Sequence, residues 1–131
     1  PDRILWAKDN RGAMVRVLGS NGDQDSRIEN RVGDPGANPY FYLMSQILSG
    51  LDGIENQLTP PPITETPYTT DADRLPQSLM EAADAFGRSS FYRTKLGDEF
   101  VEYLLKIKRN EINRFLSEVT DWEHREYFEI L

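Results

Sequence analysis

The stretch RIENRVGDPGANPY, residues 27–40, changes from the repeat of a strand to the start of a helix within a few positions. Its first part alternates with period two, which places three charged residues on one face of a strand: Arg27, Glu29 and Arg31. Asn38 is a good N-cap, and Pro39 suits the first position of a helix, because the missing N–H would have no partner there. The stretch therefore predicts a strand that leads through a Pro/Gly turn into a helix.

Two more short strands are expected before this stretch, in residues 3–18, on either side of a turn at Asp9 and Asn10. Alternating apolar side chains around Val15 give the second of them the period-two pattern of a strand. A loop rich in turn residues, 19–26, separates it from the third strand. We therefore expect a small antiparallel strand set, and we expect it to be part of a larger sheet.

The chain after the turn is expected to be mainly helical, which makes the fold class α+β. The apolar stripe of the first helix, 40–54, is wide enough to predict burial on most sides. A proline-rich stretch, 58–76, is expected to run extended over the surface. Apolar periodicity and capping residues predict several further helices: 78–86, 90–96, 98–119 and 121–129.

Composition argues against several function classes. The formal net charge of −7 argues against general nucleic-acid binding, which needs a basic surface. No apolar run is long enough to span a bilayer, so no membrane partner is expected. The chain has no cysteine, which excludes disulfides and thiolate metal sites and fits a reducing compartment, the cytoplasm. The single histidine, His124, is expected on a charged surface rather than in catalysis.

The first 33 residues contain a cluster of five charged residues: Arg11, Arg16, Arg27, Glu29 and Arg31. Guanidinium groups bind phosphate and carboxylate through paired hydrogen bonds, and several on neighbouring strands repel one another unless an anion lies between them. A nucleoside triphosphate or an acyl phosphate would meet this need, with a divalent cation on Glu29 bridging to the phosphate oxygens. The alternative is a solvated ladder of ion pairs, which is the commoner meaning of Arg-x-Glu-x-Arg on a strand.

Four segments of the chain follow one another in a familiar order: NRGAMVR, RIENR, DPGANPY and SGLDGI. They resemble NRSAxIR, RIExR, DPAANPY and AGLDGI in the C-terminal part of the glutamine synthetase catalytic domain. The resemblance continues through LGDEFVEYLLKIKRNEINRF and TDWEHREYFEIL, so it covers nearly the whole chain. It implies that 1–131 is the C-terminal portion of such a domain, with active-site strands in 1–33 and a mainly helical remainder in 38–131.

The resemblance also implies a role for each member of the charged cluster. Glu29 would be a ligand of the Mg²⁺ or Mn²⁺ ion that contacts the nucleotide phosphates. Arg11 would contact the transferred phosphoryl group and the substrate glutamate, while Arg16 and Arg27 would contact phosphates of ATP. Arg31 would lie beside the substrate glutamate, which makes Arg11 and Arg31 the implied catalytic residues.

The implied reaction is the ATP-dependent joining of ammonia to the side-chain carboxylate of glutamate through an acyl phosphate. Two alternatives remain open: a relative that uses another amine, and a non-catalytic relative that keeps the fold for assembly. The first residue is Pro1, which suggests a piece of a longer chain. In the family the other metal ligands lie upstream, so this piece alone is expected to be inactive, and its parent is expected to form a ring-shaped homo-oligomer.

Some positions depart from the family pattern. Gln24 stands where many members have a lysine near the nucleotide, so no ATP contact is assigned to it. Tyr68 lies near the place of the tyrosine that is modified in the NLYDLP motif of one bacterial branch, but ETPYTTDADRLP is not that motif, and no such control is expected. Aromatic residues near the end are expected to form a subunit contact: Trp122, Tyr127 and Phe128.

Overall fold

The computed structural model describes residues 1–130, and the chain divides into two compact units. The first unit is Pro1–Leu75, and the second begins at Pro76. The elements follow in the order β1 (Trp6–Lys8), β2 (Val15–Leu18), β3 (Arg27–Asn30), α1 (Pro39–Glu55), α2 (Leu79–Arg88), α3 (Ser90–Leu96), α4 (Asp98–Leu116) and α5 (Asp121–Tyr127). Strands come first and helices follow, which confirms the predicted α+β class.

The three strands form one sheet in the order β1-β2-β3. β2 and β3 are antiparallel as predicted, but β1 and β2 are parallel, which corrects the expectation that the set is antiparallel throughout. The connecting segment 9–14 returns the chain from the end of β1 to its start. There β2 begins in the same direction as β1, so that Trp6 pairs with Val15. Ala13 in this segment is fully buried, and its burial stabilises the return of the chain in place of a hairpin turn.

The proline-rich stretch 58–76 holds no helix, in agreement with its prediction as an extended connection. It returns along the start of the chain, where the Ile4 N–H donates to the Asp73 carbonyl at 2.8 Å. Further on, the Thr64 N–H donates to the carbonyl of Trp6 at 3.1 Å. These bonds satisfy backbone groups at the outer edge of β1, which an edge strand otherwise leaves open to pairing with another chain.

Helix α1 begins where the sequence predicts. The Asn38 side chain accepts from two backbone N–H groups of the first turn, at 3.0 and 3.4 Å, and a proline occupies the first turn. The predicted burial on most sides is wrong: Leu43 is 57% exposed and Ile47 is 61% exposed. One face of α1 has a partner, because the Tyr42 ring lies against Gly33, but no residue of α1 is fully buried.

In the second unit α2 packs against α4. Three buried side chains form its core: Ala83, Val101 and Leu105. The predicted helix 98–119 ends earlier than expected, at Leu116, and the apolar residues near this end are exposed: Phe115 is 68% and Val119 is 69% accessible. Helix α5 starts with a capping box, in which the Thr120 N–H donates to the Glu123 carboxylate at 2.7 Å. In the described part of the chain no helix has both the length and the apolar character needed to cross a bilayer.

Candidate functional site

The antiparallel pairing of β2 and β3 brings two members of the charged cluster face to face. Arg16 on β2 is the register partner of Glu29 on β3, and directly opposed side chains of a sheet lie close enough to interact. The Arg16 Nη1 donates to the Glu29 Oε2 at 3.3 Å. The sheet register therefore creates the first ion pair of the site.

Arg31 bonds the same carboxylate from a position further along the chain. It lies two residues after Glu29, and its Nη1 donates to the Glu29 Oε2 at 3.1 Å. Its Nε donates to the backbone carbonyl of Arg11 at 3.0 Å. One oxygen of Glu29 thus receives two guanidinium groups, and one of those groups also fixes the backbone of the loop that holds Arg11.

The two arginines keep Glu29 ionised. The hydrogen bond from Arg31, together with that from Arg16, lowers the pKa of Glu29 below its ordinary value of 4.5, against the opposing effect of burial. The side chain stays 39% exposed, so solvent and ions can reach it. At neutral pH this position holds a carboxylate anion, which is the form that a divalent cation requires.

Arg16 is held from a second side by a residue that the sequence analysis did not single out. Its Nη2 donates to the carboxylate of Asp9, and this contact raises the pKa of Arg16 more than the contact with Glu29 does. The Arg16 side chain is only 15% exposed. Its Nε is buried and has no acceptor among residues 1–130, so the two carboxylates supply its bonds through the Nη groups.

The residue type of Asp9 is a signal that the sequence offers, because it suits the backbone conformation found there. Asp9 has φ of 46°, in the left-handed region, where aspartate and asparagine are enriched among residues other than glycine. An Asp-Asn pair directly after a predicted strand therefore indicates a turn with this conformation. The turn carries the Asp9 carboxylate to Arg16, but the identity of its partner depends on the parallel pairing of β1 and β2, which the sequence pattern did not predict.

Arg11 lies in a loop whose backbone is tightly fixed. The Asn10 side chain accepts from the Gly12 N–H at 2.9 Å, and the Tyr68 ring covers Gly12. A Cβ added at Gly12 would come within 2.7 Å of a ring carbon of Tyr68, so a larger residue here would require this ring to shift. The Arg11 residue itself is exposed, so the structure brings its backbone, and not its guanidinium, into the bonded cluster.

Arg27 stands apart from the other members. Its Nη1 donates to the carbonyl of Asp25 at 2.9 Å, and it lines an open cleft of about 590 Å³ with Lys8 and the 19–23 loop. Glu29 and Arg31 line a different cleft of about 560 Å³. Arg16, Glu29 and Arg31 are therefore one bonded group with the Arg11 backbone, while Arg27 faces a neighbouring cleft. Two residues assigned no role are exposed: Gln24 and His124.

Glu29 suits a divalent cation as one ligand of several. It supplies a single ionised carboxylate, and Mg²⁺ commonly takes one or two carboxylates together with phosphate oxygens and waters. Within residues 1–130 no three His, Cys, Asp or Glu side chains lie close enough to hold a metal ion by themselves. The chemistry of this donor fits the cation, provided that other oxygens complete the coordination.

Comparison with known proteins places this site in a family. The family model described as "Glutamine synthetase, catalytic domain" matches residues 1–127. The chain belongs to the glutamine synthetase family. It corresponds to the C-terminal part of the catalytic domain, as the sequence resemblance implied.

Several family members are similar over this whole region. A gamma-glutamylanilide synthase of an Acinetobacter species is 47% identical, with all of this chain and 29% of the relative covered. A gamma-glutamylethanolamide synthetase of Streptomyces coelicolor is 36% identical over 98% of this chain and 28% of the relative. A solved structure described as apo GmaS without ligand has a TM-score of 0.82 at 30% identity, over 98% of this chain and 30% of that one. The chain thus spans about 30% of the length of the relatives it matches.

Proposed function

We propose that the complete protein is an ATP-dependent ligase that joins an amine to the side-chain carboxylate of glutamate. The observation that supports this most is the ionised Glu29 carboxylate bonded by Arg16 and Arg31 on one sheet surface. A transferred phosphoryl group and its cation need such a combination of one fixed anion and several fixed cations. Membership of the glutamine synthetase family supports the same chemistry.

In this proposal Glu29 is a ligand of Mg²⁺ or Mn²⁺, and the ion supplies charge neutralisation at the phosphates of ATP. Other parts of the complete protein supply the remaining ligands, because Glu29 is a single carboxylate. The exposed fraction of Glu29 leaves room for an ion to approach. The cation would share the carboxylate with Arg16 and Arg31, or take the place of one of these bonds.

The arginines bind and orient the anionic reactants. Arg16 places its positive charge beside the phosphates of ATP, and Arg31 lies beside the substrate glutamate. Arg11 extends its exposed guanidinium toward the transferred phosphoryl group and the substrate. Arg27 contacts the nucleotide from the neighbouring cleft, at a different part of the same ligand. Their permanent charge offsets the negative charge that the reactants bring together.

The reaction then proceeds in two transfers. An oxygen of the glutamate side-chain carboxylate attacks the γ-phosphorus of ATP, ADP leaves, and an acyl phosphate forms. The nitrogen of the amine attacks the acyl carbon, the C–O bond to phosphate breaks, and the amine loses a proton. Fixed arginines that hold the carboxylate and the phosphoryl group in line lower the barrier by positioning and by charge neutralisation.

The similar proteins include both glutamine synthetases and ligases named for an organic amine, and the two most identical relatives reported above belong to the second kind. Those reported above are named for an anilide and an ethanolamide product, and these names speak for the alternative of a γ-glutamyl-amine ligase. Ammonia, which the sequence resemblance implied first, is the second candidate. The two differ in the nucleophile alone, so the roles of Glu29 and the arginines are the same in both.

The complete protein is proposed to be a ring-shaped homo-oligomer of the cytoplasm, and this chain alone is proposed to be inactive. Three aromatic residues of α5 and its end are exposed and available for a subunit contact: Trp122, Tyr127 and Phe128. A non-catalytic assembly protein is the rival to this proposal. It has no need of an ionised carboxylate that stays 39% exposed between two arginines.

The experiment uses the full-length protein with ATP, Mg²⁺ and glutamate, and compares ammonia, aniline and ethanolamine as nucleophiles. Phosphate release and the mass of the product are measured together. We expect a γ-glutamyl product with at least one amine, with the organic amines preferred. Removal of the carboxylate by Glu29→Ala is expected to abolish metal-dependent phosphate release. Release that survives this change nearly intact would show that the ligand assignment is wrong, and no product with any amine would favour the assembly protein.

A further inference from the structure

Asp9 occupies a special place at the end of β1. Its backbone adopts the left-handed conformation, and its N–H donates to the carbonyl of Val17 at 2.9 Å, which fixes the residue against β2. From there its carboxylate accepts from the Nη2 of Arg16. The bond to Val17 and the bond to Arg16 therefore hold Asp9 from its backbone and from its side chain.

A cation bound to Glu29 would weaken the bonds that hold two arginines, and Asp9 can still hold one of them. The Oε2 of Glu29 accepts from Arg16 at 3.3 Å and from Arg31 at 3.1 Å. A divalent cation at this carboxylate would repel both guanidinium groups and so weaken their bonds to Glu29. Each arginine then needs an acceptor that does not depend on Glu29. Arg31 has one in the carbonyl of Arg11, at 3.0 Å.

We propose that Asp9 is a positioning residue that keeps Arg16 in place when Glu29 binds the divalent cation. This inference rests on the proposed function. Arg16 is only 15% exposed and one of its donors has no acceptor in the described chain, so its orientation depends on the two carboxylates that hold it. Without Asp9 the side chain would be held by Glu29 alone, the carboxylate that the cation also binds.

The charge of Asp9 also offsets that of Arg16. Arg16 and Glu29 alone would form a neutral pair, but Arg31 adds a second positive charge to the same carboxylate. With Asp9 present, two carboxylates balance two guanidinium groups before any ligand arrives. The cluster is therefore neutral as a group, which explains how two arginines remain side by side on a small sheet.

The test measures binding of Mg²⁺ with a non-hydrolysable ATP analogue to the full-length protein by calorimetry. Asp9→Gly removes the carboxylate without backbone strain, because glycine adopts the left-handed conformation freely. Asp9→Asn keeps an oxygen acceptor and also tolerates this backbone, so it should rescue part of the loss. Asp73→Ala removes an exposed carboxylate of the same unit and is the control.

We expect Asp9→Gly to weaken binding about tenfold in the presence of Mg²⁺, the size of an ordinary coupling between bonded groups. The loss should be smaller in EDTA, because without the cation Glu29 still holds Arg16. In an Arg16→Ala background Asp9→Gly should have no further effect, since the residue acts through Arg16. A role in folding alone would reduce binding equally with and without Mg²⁺.

Unchanged binding in Asp9→Gly would overturn the inference, as would equal losses with and without Mg²⁺ or losses that add to those of Arg16→Ala. These results would leave the proposed function intact if the unaltered protein binds the nucleotide and makes a γ-glutamyl product. An unaltered protein that does neither would overturn the proposed function and the inference with it.

Discussion

The Nε of Arg31 donates to the backbone carbonyl of Arg11 at 3.0 Å, so the side chain of one residue fixes the main chain of the other. The two lie twenty positions apart in the sequence. Because both are proposed to contact the substrate glutamate, a change in either should disturb the other. This coupling is specific to a guanidinium group, which offers donors in more than one direction.

Replacement of Arg31 by lysine should therefore be harmful although the charge is kept. Lysine has a single donor group and cannot bond Glu29 and the Arg11 carbonyl with the same planar geometry. We expect kcat/KM of the full-length protein for glutamate to fall by roughly tenfold to a hundredfold, the usual cost of a misplaced reactant. Arg74→Lys, at an exposed arginine of the same unit, should leave kcat/KM unchanged. Equal activity in Arg31→Lys would mean that only its charge matters.

The lowered pKa of Glu29 predicts how stability depends on pH. A carboxyl group whose pKa is lowered on folding contributes stability above its unfolded value of 4.5, and this contribution is lost as the pH falls through the lower value of the folded state. Glu29→Gln lacks the contribution at every pH. The melting temperatures of the two proteins should differ at pH 7 and converge once the pH falls below the lowered pKa of the folded state. A difference that stays constant down to pH 3 would contradict the assigned ion pairs.

The contact of Gly12 with Tyr68 predicts opposite effects at two glycines. Gly12→Ala pushes a methyl group into the tyrosine ring and should destabilise the protein by about 1–3 kcal/mol, the usual cost of overpacking. Gly50→Ala lies within α1, where the added Cβ meets nothing within 4 Å, and should stabilise by roughly 0.5–1 kcal/mol. Thermal unfolding of both variants measures the contrast. A Gly12→Ala protein as stable as the unaltered one would show that the ring moves aside freely.

The cap of α1 predicts a further pair of variants. Asn38→Ala removes the side-chain acceptor for the first-turn N–H groups and should cost about 1 kcal/mol. Asn38→Asp keeps an acceptor and adds a favourable charge at the helix N-terminus, so its stability should equal that of the unaltered protein. Urea denaturation distinguishes the two. Equal losses in both variants would mean that the amide group has another role than capping.

Local patterns predicted much of the fold because they act over a few residues. The alternation in 27–32 located β3, and the Asn38-Pro39 pair located the start of α1. The parallel pairing of β1 and β2 was not predicted, because it depends on the burial of Ala13, a contact formed only when the chain has folded back. A strand pattern gives the faces of a strand but carries no information about the direction of its neighbour.

The burial of α1 was predicted wrongly for a related reason. A wide apolar stripe, which includes Leu43 and Ile47, shows that a helix needs a covering surface but does not show that the same chain supplies it. For the site, the motif resemblance singled out Arg16, Glu29 and Arg31, which the sheet register then brings together. Asp9 was missed, since its contact depends on a turn conformation and not on a repeat.

The complete burial of Ala13 limits how this segment can vary in evolution. Ala13 lies two positions after Arg11, is 0% exposed, and packs with Leu5 and Ala7. A larger residue would force apart the loop and the strand behind it, and a smaller one would loosen both. Natural variation at this position should therefore be confined to the smallest side chains. A residue without any reactive group would then be as constrained in evolution as the charged residues beside it.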